Sequence, residues 1–143
     1  MAFSTHRTAT LLGLGGAAPF LVAGLGAWIL GDGPLKHWLL TAVFAYGAVI
    51  LSFLGGIHWG LALRDTQADD RSYVISALPA LLAWLALLIP LRFGLALLAV
   101  CFVAQLVVDL IRLRLPSWFR NLRALLTVIV VASLVVALLA LMQ

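Results

Sequence analysis

The sequence predicts an all-α fold, an integral membrane bundle of five transmembrane helices, and three observations predict it. Of the 143 residues 65% are hydrophobic and only 10% charged, too little polar surface for a soluble domain of this size. The apolar residues gather in five runs, each about long enough to cross a hydrocarbon core of roughly 30 Å at ~1.5 Å per residue. The runs do not alternate, and in a bilayer every backbone polar group has to be bonded internally, which here favours helices over a barrel. The residues between the runs are too few for a second, aqueous domain, so the expectation is a single membrane domain over 1–143.

The first run covers 10–30 and follows His6 and Arg7. It exceeds the roughly 7–15 residues of a signal-peptide core and no small-x-small site follows it, so it reads as a retained span. Gly31-Asp32-Gly33-Pro34 ends it. The second run, 38–63, is longer than a crossing needs and has to tilt or extend beyond the core. In the loop behind it, Asp65, Asp69 and Asp70 suit a solvated turn and an N-cap for the third helix better than a divalent-cation site. The third run, 72–89, stops at Pro90, and the fourth covers 94–111. Pro116 interrupts the link to the fifth, 122–142, and Ser117 stands where it can N-cap that helix.

Five spans put the two ends of the chain on opposite sides. Arg7, Arg64, Arg71, Arg112, Arg114, Arg120 and Arg123 share the N-terminal side, seven basic residues against two, Lys36 and Arg92, on the other. The positive-inside rule then predicts an N-terminus in the cytoplasm, or in the equivalent compartment of an organelle, and a C-terminus outside. Arg112, Arg114, Arg120 and Arg123, together with Trp118, form a basic and aromatic rim suited to the headgroups of anionic lipids. The plainer reading of the same arginines is topological anchoring.

Two faces of the second helix carry small residues. Ala48, Ser52, Gly56 and Gly60 recur every fourth position and predict a ridge against which a neighbouring helix packs closely. His58 points to roughly the opposite face, which it shares with Gly47, Leu51 and Gly55. Asp109 lies on the fourth helix with Cys101, Gln105 and Arg112 along one stripe, and Arg112, three residues on, is close enough to pair with it and competes with His58 for it. His58 and Asp109 both lie within two turns of the same end of the bundle, so a shared polar pocket is predicted, completed by Gln105 or Trp59. A buried ionisable side chain in a span is costly, and it is either a hydrogen-bonded core residue or part of a path for protons or ligands. No metal site is expected, because His6 and His37 are placed away from His58, and no cofactor is implied. No phosphate loop, nucleophile elbow or paired-carboxylate motif is present, so no catalytic residue is assigned.

Ala18-Pro19-Phe20, Tyr46-Gly47-Ala48, the string Ser52-Phe53-Leu54-Gly55-Gly56-Ile57-His58-Trp59-Gly60, Leu78-Pro79-Ala80-Leu81-Leu82-Ala83-Trp84, Asp109, and Leu115-Pro116-Ser117-Trp118-Phe119 with Arg123 follow one another along the chain. In order and spacing the chain resembles the transmembrane protein 69-like family over nearly its whole length. The resemblance implies a five-helix domain of unknown function in a bacterial inner membrane or its mitochondrial counterpart. Three functions compete. The first is a non-enzymatic accessory or assembly partner of a membrane complex. The second is a small transporter or proton-linked carrier using His58 and Asp109. The third is a lipid-headgroup-binding protein or membrane enzyme with a pocket at the cytoplasmic rim. The partners expected are the bilayer with its anionic lipids, and a membrane protein or a second copy of the chain; nothing in the sequence suits a nucleic acid.

Overall fold

Helix ends in this chain are set by proline and by one carboxylate. A computed structural model describes residues 2–142. It contains α1 (Ala2–Ile29), α2 (Pro34–Arg64), α3 (Asp70–Leu88), α4 (Leu91–Arg112) and α5 (Ser117–Ala140). Pro34 starts α2 at a position that needs no N–H. Asp69 caps α3: its side chain accepts from the Ser72 backbone N–H at 3.0 Å and from the Ser72 hydroxyl at 2.8 Å. Pro90 and Pro116 stand immediately before α4 and α5. Ser117 is therefore not the cap expected of it. Pro116 already brings the chain in extended, and Ser117 is the first residue inside α5 with no capping bond. Each helix is long and apolar enough to cross a membrane. Compared with the apolar runs, α1 and α5 begin earlier, because polar residues such as His6 and Asn121 continue the helix outside the apolar stretch.

The helices close a ring in chain order, α1 on α2, α2 on α3, α3 on α4, α4 on α5 and α5 back on α1, while α2 also meets α4 across the middle. One end of the bundle gathers the start of α1 with the start of α5, where His6 stacks on Trp118 with centroids 4.2 Å apart. The opposite end gathers the start of α2, where Lys36 is bonded to Asp32 at 2.8 Å, with Ala140 and Leu141. Polarity runs inside-out. Leu12, Ile29, Phe53, Trp84 and Val128 face outward, whereas His58, Ser76, Gln105, Asp109, Thr127 and Ser133 are buried. Water around such a surface would be costly and hydrocarbon is not.

The core is built on Phe20, Leu40, Leu51, Leu95, Leu98 and Leu134. Two glycines let backbones approach. A Cβ on Gly55 would lie 2.6 Å from the Ser76 carbonyl oxygen and 3.1 Å from the Pro79 ring. A Cβ on Gly94 would lie 2.6 Å from the Ala86 carbonyl oxygen. The face of α2 that packs is thus the one with Gly47, Leu51, Gly55 and His58, all buried.

This corrects the ridge expected on the other face. Ala48 is buried, but Ser52 is half-buried with its hydroxyl bonded to the Ala48 carbonyl of its own helix at 2.8 Å. Gly56 and Gly60 face outward, with nothing within 4 Å of where a Cβ would sit. The centres of the two faces are about 125° apart on the helix, and the bundle curls around only one of them.

Candidate functional site

Asp109 is the centre of the one buried charge cluster among the described residues. It is 4% exposed, in the last two turns of α4. Gln105 sits one turn earlier on the same face and donates from Nε2 to Asp109 Oδ1 at 2.9 Å. His58 of α2 reaches the same oxygen from the opposite helix, Nε2 to Oδ1 at 2.6 Å. Arg123, two turns into α5, closes the other side: Nε donates to Asp109 Oδ2 at 2.8 Å, and Nη2 meets the same oxygen. One carboxylate therefore ties together α2, α4 and α5 near the end of the bundle that holds Arg64 and Arg112.

The chemistry of the cluster follows from its donors. A carboxylate paired with Arg123 only accepts, so the imidazole presents Nε2–H to it and Nδ1 is the ring nitrogen left over. Among the described residues Nδ1 has no hydrogen-bond partner, and no sealed side-chain nitrogen or oxygen lacks one, so Nδ1 has open space beside it. His58 borders a cavity of about 310 Å³ at this end of the bundle, shared with Asp65, Ser72 and Arg112. The arrangement has an imidazole whose one nitrogen is held by a paired carboxylate and whose other nitrogen is accessible from the loop end. It suffices to hold α2, α4 and α5 together through one carboxylate.

The structure brings three predicted pocket residues together, His58, Asp109 and Gln105, and leaves one out. Trp59 is half-exposed and lies edge-on to Tyr73 at 5.4 Å. One residue past His58 the helix has turned by ~100°, which carries the indole away from the cluster. Arg112, the competitor expected for Asp109, does not pair with it. It ends α4, borders the 310 Å³ cavity and adds its charge to the field around Asp69, whose carboxyl is held below the ordinary carboxylate range chiefly by the Ser72 hydroxyl and N–H. The predicted rim is also divided. Arg114 and Arg120 are exposed and Trp118 is half-buried against His6, but Arg123 turns inward to the ion pair. Arg123 is the member of the cluster that sequence reasoning assigned elsewhere. Its signal was its place seven residues into a helix, beyond the interfacial turn, next to an apolar run that leaves a cation no aqueous partner.

No group of three or more His, Cys, Asp or Glu side chains among the described residues is arranged to hold a metal ion. Cys101 is buried in α4 with its thiol free.

Comparison with known proteins adds the following. Residues 5–139 match a family described as "Protein of unknown function (DUF3429)". A curated relative, "Transmembrane protein 69" of Xenopus tropicalis, is 42% identical over 137 residues, which cover 90% of this chain and 53% of the relative. "Transmembrane protein 69" of Mus musculus is 34% identical over 100 residues, 66% of this chain and 41% of the relative. The chain thus spans about half the length of the curated relatives it matches. No solved structure matches it significantly. Five membrane-length helices and relatives named as transmembrane proteins make this a multi-pass membrane protein.

Proposed function

The chain belongs to the DUF3429 family and is similar to proteins named transmembrane protein 69, and from that premise we propose that it is a non-enzymatic accessory or assembly partner of a larger membrane complex. The observation that carries this reading is the closed bonding of Asp109. Both carboxylate oxygens are taken by His58, Gln105 and Arg123 within the chain. A buried charge group satisfied in this way rigidifies and registers helices, and it leaves neither carboxylate oxygen free for a substrate. The outward face of α2 complements that reading, since Gly56 and Gly60 offer a second membrane protein close access to backbone.

In a bacterial inner membrane, the location this reading takes, the seven-to-two bias of basic residues supports an orientation with the start of α1 cytoplasmic and the end of α5 periplasmic. Purification of the full chain from its own membrane in mild detergent tests the function: a stoichiometric membrane-protein partner is expected, and a chain that runs alone at every detergent strength contradicts it. Reporters placed in the 65–69 loop and after Ala140 test the orientation, with the first internal and the second external.

A second reading, a proton-linked carrier, is favoured by one observation: His58 joins the 310 Å³ cavity to Asp109. Proteoliposomes decide it. Proton flux that is abolished by His58→Ala supports the carrier; absence of flux above empty vesicles removes it.

A further inference from the structure

We propose that the groove between α1, α2, α4 and α5 holds one acyl chain of an anionic phospholipid, whose phosphate sits on the end of the Arg123 guanidinium. The groove has a volume of about 170 Å³ and is bordered by Phe20, Phe53, Phe102, Leu126 and Thr127, with Arg123 as the charged member of its lining. From Arg123 to Val130, the extent of its α5 wall, it runs about 10 Å at ~1.5 Å per residue. That is the shape of a chain segment ending at a cation.

The guanidinium carries the argument further than the shape does. A guanidinium has two hydrogen-bonding edges. The edge made by Nε and Nη2 faces Asp109 Oδ2. Nη1, on the other edge, has no hydrogen bond among the described residues, and no sealed side-chain nitrogen lacks a partner, so Nη1 opens onto space. Arg123 is among the residues that line this groove and its side chain is only 11% exposed, so the proposal assigns the free edge to the groove. Unsatisfied N–H groups at membrane depth call for an oxygen acceptor, and a phosphate fits the free edge of the fork. Asp109 already neutralises Arg123, so preference for a net anion comes from the surrounding field. Arg120 lies one turn before Arg123 and is exposed, and Arg7, Arg114 and Arg112 stand at the same end. Thr127, one turn deeper, is the other polar group in the groove. This reading stands apart from the accessory role: a lipid held here is compatible with a partner on α2 or with none.

The test is native mass spectrometry of the full chain in mild detergent, titrated with dioleoyl phosphatidylglycerol or dioleoyl phosphatidylcholine. Phosphatidylglycerol is expected to be retained about tenfold better. Gly16→Leu is expected to bring its retention down to the phosphatidylcholine level. Its side chain enters the groove, while a Cβ there meets only the Tyr46 hydroxyl, at 3.8 Å. Arg123→Lys keeps a cation opposite Asp109 but loses the second edge, and is expected to lower retention severalfold. Ile29→Ala, on an outward-facing residue at the opposite end of the bundle, is expected to leave it unchanged. Thermal melting identifies any variant that does not fold, and Gly16→Leu alone then decides. Equal retention of the two lipids overturns the proposal. So does phosphatidylglycerol binding that Gly16→Leu does not reduce, which would place the lipid on the exposed arginine rim. Competition by glycerol phosphate as effective as by the lipid, or a dimer that forms in place of the adduct, also overturns it.

Discussion

Removing the Asp109 carboxylate is the perturbation with the clearest arithmetic. Asp109→Leu deletes the acceptor of three side chains and leaves Arg123, 11% exposed, without a counter-charge. Breaking a buried ion pair from one side costs about 3–5 kcal/mol, because the stranded charge remains. Arg123→Met is expected to cost less, about 2–3 kcal/mol, because Asp109 keeps the donors of His58 and Gln105. The double variant replaces the whole pair by apolar side chains of similar size. It is expected to be at least ~2 kcal/mol better than the sum of the singles, since neither charge is left unpaired. Unfolding of the purified chain in mixed micelles with increasing dodecyl sulfate, followed by fluorescence of its five tryptophans, gives the three stabilities. Additivity within about 0.5 kcal/mol would refute the reasoning, for it would mean that the two side chains do not act as a pair.

Two further outcomes follow from neighbouring glycines and from the α3 cap. Gly55→Ala is expected to destabilise the bundle by about 1–3 kcal/mol, because its methyl would meet the Ser76 carbonyl oxygen at 2.6 Å. Gly56→Ala is expected to be neutral or to stabilise by up to ~1 kcal/mol through helix propensity alone, since nothing lies within 4 Å; the same dodecyl sulfate titration distinguishes them. The Asp69 carboxyl is held below its usual range by its bonds to Ser72. A depressed native value means that its contribution is present above the unfolded carboxyl value and is lost as pH falls through the native one. Amide exchange at the start of α3 is therefore expected to accelerate on acidification below about pH 4 in the wild type, and much less in Asp69→Asn, which caps without titrating; equal acceleration in both contradicts the cap.

Five membrane-length helices were legible because hydrocarbon thickness fixes how many consecutive apolar residues a crossing needs, and the runs meet that length. Helix ends were less legible: α1 and α5 continue through polar residues that no apolar count includes. Which face of α2 packs could not be read from spacing, because both faces carry small residues one turn apart. Ala48, Ser52, Gly56 and Gly60 have the more regular period, yet it is Gly55 that meets Ser76. The depth argument placed His58 beside Asp109 and the structure has them 2.6 Å apart. Spacing alone does not show which cation meets Asp109. Arg112 follows Asp109 closely in sequence but leaves toward the 65–69 loop, while Arg123, 14 residues on, returns on α5 to face it. Sequence separation hides a partner that a helical hairpin restores.

The contact between His58 and Asp109 is most directly tested by nitrogen-15 NMR of the histidine-labelled chain in micelles, where only three histidines contribute. The structure predicts one downfield, slowly exchanging Nε2–H, from His58, that disappears in Asp109→Asn while His6 and His37 stay where they are. Three histidines that all exchange with solvent alike, and that Asp109→Asn leaves unmoved, would contradict it.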